Sequence, residues 1–132
     1  MLARLSRLVE QTCAEGDLSL SQYRLLLFVS RQPQRAGELA RRAAVSRPAI
    51  TDLVDYLERD GLLRRVPVNG DRRGISLQLT DDGEGALRRV EDSLAGRLKP
   101  LLVDEDLVQG LIDLGITLDK ELAARLKADE KR

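Results

Sequence analysis

Between Ser46 and Thr80 the period of the apolar positions changes once, and the rest of the chain is arranged around that change. Ile50, Leu53, Val54 and Leu57 fall at i, i+3, i+4 and i+7, the spacing that gathers side chains on one face of a helix. Ser46 suits an N-cap, Pro48 sits in the first turn where its missing N–H costs nothing, and Gly61 is placed to end the helix. Beyond it, Val66 and then Ile75, Leu77 and Leu79 alternate with polar or turn residues and flank Asn69-Gly70, a strong hairpin signal. The pattern predicts a helix running directly into a two-stranded hairpin tipped by Asp71, Arg72 and Arg73. Such a helix fits a major groove, and an arginine at a ribbon tip fits a narrow minor groove.

The flanks read as helices. Residues 2–14 place Leu2, Leu5, Leu8, Val9 and Thr12 on one side, a stripe that either packs onto the domain or meets a partner subunit. Cys13 closes this helix, before the turn Glu15-Gly16-Asp17. A second helix is expected over 18–32, opened by a Ser19/Gln22 capping box, with Tyr23, Leu26, Leu27 and Ser30 along one face and Pro33 as its stop. A short third helix over 36–44 turns Leu39, Ala40 and Ala43 inward and Arg41 and Arg42 outward. Only Val45 separates it from Ser46, so the pair forms a helix-turn-helix and the hairpin makes it winged. From Asp81, with Thr80 as cap, Leu87, Val90, Leu94 and Leu98 mark a long stripe ending at Pro100. A last helix over 104–127 carries Leu107, Leu111, Leu114, Leu118, Leu122 and Leu126, weakened at Gly110 and Gly115, where a bend or break is expected.

Composition narrows the function. At 132 residues, 42% hydrophobic and 33% charged, the chain is expected to be one mainly helical domain. No apolar run approaches the ~18 residues of a membrane span and no signal-peptide pattern opens the chain, so the cytoplasm is expected and a membrane partner is not. One cysteine and no histidine speak against an internal disulfide, a metal site, and most acid–base catalysis. No nucleophile–base pair or phosphate-cradling loop appears, so neither an enzyme nor a bound cofactor is expected. Net charge is zero, yet residues 35–80 hold nine arginines against six acids, while residues 81–132 hold nine cations against thirteen acids. The positive excess falls on the helix–hairpin unit.

The run Ser46…Leu53-Val54…Leu57-Glu58…Gly61-Leu62-Leu63-Arg64-Arg65…Asp71-Arg72-Arg73…Leu79-Thr80-Asp81-Asp82-Gly83 resembles the signature of MarR-type (multiple antibiotic resistance regulator) transcription factors. Leu18-Ser19…Gln22-Tyr23…Leu26 and Glu38-Leu39-Ala40 resemble that family's second and third helices. The resemblance implies a mainly α fold with a small β-hairpin wing. Residues 18–83 would form the winged helix-turn-helix, and residues 1–17 and 84–132 the dimerisation helices. It further implies a homodimeric repressor of double-stranded DNA, released by a small-molecule effector. Ser46, Arg47, Pro48, Ala49 and Thr51 would then face the major groove or its phosphates, with Arg47 on a base edge. Arg73 would enter the minor groove, and Asp71, with Arg65, would orient the wing. Read from the residues alone, Asp71 follows Gly70 in the turn or pairs with Arg65, and Arg41, Arg42, Arg64 and Arg72 meet phosphates or stand as solvated charges.

The chain departs from the family pattern in three ways. It opens close to its first helix, leaving a short dimerising arm, and Tyr23, Phe28 and Tyr56 are its only aromatics. Cys13 lies nine residues before Gln22, unlike the cysteine of the peroxide-sensing branch. Two alternatives stay open: a winged-helix protein-interaction module without sequence-specific DNA binding, and a thiol-based redox-sensing regulator using Cys13.

Overall fold

A computed structural model of the chain describes residues 2–31, 34–35, 38–39, 47–68, 70 and 74–129. In chain order these form α1 (Leu2–Glu15), α2 (Leu20–Arg31), β1 (Gln34–Arg35), α3 (Arg47–Arg59), β2 (Leu63–Pro67), β3 (Ile75–Leu79), α4 (Asp81–Leu98), a 3-10 turn (Lys99–Leu101) and α5 (Glu105–Asp129). The expected helix over 36–44 lies largely outside the described residues; Glu38 and Leu39 within it are helical and Leu39 is fully buried. The chain divides into two compact units, Met1–Leu94 and Ala95–Arg132.

In the first unit the apolar faces read from the sequence converge. Leu25, Leu26 and Val29 of α2, Ile50, Val54 and Leu57 of α3, Leu63 and Leu77 of the strands, and Ala86, Leu87, Val90 and Leu94 of α4 share one core. Each fully buried leucine removes enough apolar surface to favour the fold by ~1.5–3 kcal/mol. α1 packs on α2, α2 on β3 and α3, and α3 on β2. Of the N-terminal stripe, Val9 packs against this core and Thr12 is buried, as is the adjoining Cys13, while Leu5 stays exposed.

The hairpin is antiparallel with Leu63 opposite Leu79, Arg65 opposite Leu77 and Pro67 opposite Ile75. Alternation put Ile75, Leu77 and Leu79 on one face. Leu77 is fully buried and Leu79 packs against the core, but Ile75 is 48% exposed because the strand runs past the core there. A third strand, β1, adds Gln34 opposite Leu77 and Arg35 opposite Ser76, so β3 is central in the order β1-β3-β2. Two residues are too short for any period to show, which is why the pattern predicted a two-stranded hairpin alone.

The ends of the helices follow their caps. Ser19 and Gln22 close a reciprocal capping box, with Gln22 N–H donating to Ser19 Oγ (3.1 Å) and Ser19 N–H to Gln22 Oε1 (2.8 Å). α3 stops at Gly61, whose φ of +74° is the left-handed conformation that glycine adopts without a Cβ penalty. Gly61 N–H then reaches Glu58 O (3.0 Å) and Leu62 N–H reaches Leu57 O (2.9 Å).

In the second unit, Asp104 Oδ1 accepts from Asp106 N–H (3.0 Å) and Leu107 N–H (3.2 Å) and so caps α5. The helix runs through Gly110 and Gly115 without the break expected there. Leu107, Leu111, Leu114 and Leu118, joined by Ile112 and Ile116, are each about half exposed. No helix among the described residues is long and apolar enough to cross a membrane.

Candidate nucleic-acid interface

Helix α3 presents two unlike faces. Ile50, Val54 and Leu57 hold it to the core, and Pro48, Ala49, Thr51, Asp52 and Tyr56 face outward. Its far end is tied to the first wing strand by charge. The Arg65 guanidinium on β2 donates to Asp55 and to Glu58, and the Arg65 backbone N–H donates to Glu58 Oε1 (3.3 Å). The hydrogen bond to Asp55, joined by the charge of both carboxylates, holds the guanidinium pKa above its usual value. A planar fork that spans two acceptors fixes an angle as well as a distance. α3 and the wing are thereby set relative to one another.

Behind this pair, Thr80 locks the hairpin to the following helix. Its Oγ1 donates to Gly61 O (2.6 Å) and accepts from Gly83 N–H (3.0 Å), while its own N–H donates to Leu62 O (3.2 Å). A Cβ at residue 83 would stand 2.0 Å from Leu62 O, so only glycine lets α4 begin this close to the end of α3. The Leu79-Thr80…Gly83 signature therefore has a physical reason: it brings three elements together behind the outward face of α3.

Of the residues expected to meet DNA, Pro48, Ala49 and Thr51 are exposed on α3. Arg64 is exposed on β2, where its Nη2 donates to Gln78 Oε1 (3.2 Å) on the facing strand. Arg47 opens α3, and its side chain lies outside the described residues. Arg41, Arg42, Ser46, Asp71, Arg72 and Arg73 also lie outside them. Arg65, read with Asp71 as orienting the wing, is engaged by Asp55 and Glu58. Glu58 stood in the sequence only as part of the signature and Asp55 carried no signal of its own; that both meet Arg65 depends on how the hairpin folds back along α3.

Cys13 is fully buried, and burial pushes its thiol pKa up. A reactive sensor thiol needs exposure and a lowered pKa, so this environment suits a small core side chain. Among the described residues no group of three His, Cys, Asp or Glu could hold a metal ion.

The MarR family model matches residues 16–74 of this chain. The transcriptional repressor MdtR of Bacillus subtilis (strain 168) is 32% identical over 104 residues, covering 74% of this chain and 62% of the relative. The transcriptional regulator PecS of Dickeya dadantii (strain 3937) is 28% identical over 90 residues, covering 65% of this chain and 54% of the relative. The chain thus spans rather more than half the length of these curated relatives. Among solved structures, that of the transcriptional repressor CouR bound to a 23-mer DNA duplex superposes with a TM-score of 0.72 at 29% identity, over 89% of this chain and 88% of that one. The family model spans α2, α3, β2 and the wing tip and stops before β3, and over residues 16–74 the chain matches the MarR family.

Proposed function

We propose that this chain is a sequence-specific DNA-binding transcriptional repressor that acts as a homodimer on a pseudo-palindromic duplex. The observation that carries the reading is the outward face of α3, held at a set angle to an arginine-bearing wing by Arg65. Its likeness to a repressor solved on a DNA duplex supports it. In this reading α3 enters the major groove, with Arg47 and Thr51 at bases or phosphates, and Arg73 at the wing tip enters the flanking minor groove. Arg41, Arg42, Arg64 and Arg72 supply phosphate contacts.

The dimer is supported by the half-exposed leucines and isoleucines of α5, a longer apolar series than a solvated helix carries. A permanent interface of this type covers about 2,000 Å² or more. Two copies related by a two-fold axis would present two α3 helices to successive major grooves one helical turn apart. Release by a small effector belongs to the same proposal, on likeness to the family alone. Selection from a random duplex pool tests the reading. An enriched inverted repeat is expected; a pool that stays random after repeated rounds would overturn it.

A further inference from the structure

We propose that Asp52 is a specificity-determining residue whose carboxylate accepts a hydrogen bond from the exocyclic amino group of one cytosine in each half-site. The inference rests on the DNA-binding reading above and deepens it. At 3.6 residues per turn, Asp52 falls almost opposite Ile50, Val54 and Leu57, in the middle of the exposed face of α3. Its helix neighbours at three and four residues are Pro48, Ala49, Asp55 and Tyr56, none of them a cation. Asp55 is itself committed to Arg65, as is Glu58. Across from Asp52, the start of α2 contributes Ser21 and Gln22 to a cleft of about 420 Å³ that Ala49, Asp52 and Tyr56 also line, again without a basic side chain. Of the three carboxylates on α3, Asp52 is therefore the one with no cationic partner among the described residues.

A bare carboxylate on a face that meets a polyanion lowers affinity unless it finds a donor there. The major groove offers two, the amino groups of cytosine and adenine. Adenine N6 stands beside the N7 acceptor, whose lone pair repels a carboxylate; cytosine N4 has a C–H beside it. The acid therefore selects cytosine, and at every other base it remains an uncompensated charge. Removing it should relax one position and tighten binding elsewhere, a combination that loss of a phosphate contact cannot produce. An amide in its place should instead match adenine, donating to N7 and accepting from N6.

The test compares the parent protein with Asp52→Ala and Asp52→Asn in the same duplex selection, followed by anisotropy titrations at fixed salt on duplexes carrying each of the four base pairs at the selected position. Thermal melts of all three proteins accompany the titrations. The parent should prefer cytosine at one symmetric position by about 5- to 100-fold. Asp52→Ala should lose that preference, keep the rest of the motif and bind non-specific duplex more tightly, while Asp52→Asn should move the preference to adenine. A parent motif retained at every position by both variants would overturn the assignment. Lowered melting with an unchanged motif would do the same, and would assign Asp52 to stabilising the start of α2. A parent protein with no motif at all would instead sink the DNA-reading function itself.

Discussion

Arg65 is bound twice by Glu58, through its guanidinium and through its backbone N–H (3.3 Å), so one carboxylate fixes both the side chain and the main chain at the root of the wing. All three members of the Arg65, Asp55 and Glu58 group remain at least a third exposed. Water and salt therefore screen the pairing, and its effect on folding is small, on the order of 1 kcal/mol or less. Its larger effect is on geometry. Arg65→Ala should lower the urea midpoint only slightly yet weaken operator binding by about tenfold, corresponding to ~1.4 kcal/mol. Glu58→Gln should do less, because the amide still accepts from the backbone N–H. Titrations of both variants and of the double variant check this, and additive losses would show that the two residues act separately.

Gly83→Ala should be among the costliest single-methyl changes in the chain. Its Cβ would overlap the Leu62 carbonyl, which is backbone and already accepts from Thr80 N–H. Overpacking of this kind costs about 1–3 kcal/mol, measurable by urea unfolding. Thr80→Val, which keeps the shape but loses both Oγ1 hydrogen bonds, should cost about 1 kcal/mol, and Thr80→Ser should retain most of them.

Much of this was legible in the sequence because the helices are amphipathic and their caps are made of the expected residue types. The 3.6 period located α3 and α4, and the Ser19/Gln22 box and Gly61 act as caps as read. Tertiary matching was not legible. No period marks a two-residue strand, so β1 was missed. Neither the exposure of Ile75 nor the pairing of Arg65 with Asp55 and Glu58 follows from spacing, because both depend on where the hairpin leaves the core. Gly83 was recognisable as part of a signature, but its reason, the approach of Leu62 O, needs the folded chain.

Cys13 should behave as a core residue. Its raised thiol pKa means that the folded protein holds the proton more tightly than the unfolded chain. The stabilisation is fully present below the unfolded-chain value of about 8.5 and declines as pH rises past it. Urea midpoints should therefore fall above that pH in the parent protein and fall less in Cys13→Ala. Iodoacetamide should label the native thiol far more slowly than the urea-unfolded one. Rapid native labelling that abolishes DNA binding would restore the redox reading.

Leu111, Leu114 and Leu118 lie at spacings of three and four along α5 and are about half exposed. Leu114→Glu should bring light-scattering mass at micromolar concentration down from twice 14.7 kDa toward the single-chain value. Operator affinity should fall with it, since each half-site would then be bound alone. A parent protein that is already monomeric would contradict the two-fold arrangement.

The central claim is that the outward face of α3 and the wing read a duplex sequence. Fluorescence anisotropy of the parent protein on its selected operator and on a shuffled duplex of equal length and composition, at one fixed salt concentration, tests it most directly. The account predicts binding to the operator at least ~1,000-fold tighter than to the shuffled duplex. Affinities for the two duplexes within a few-fold of each other would contradict it.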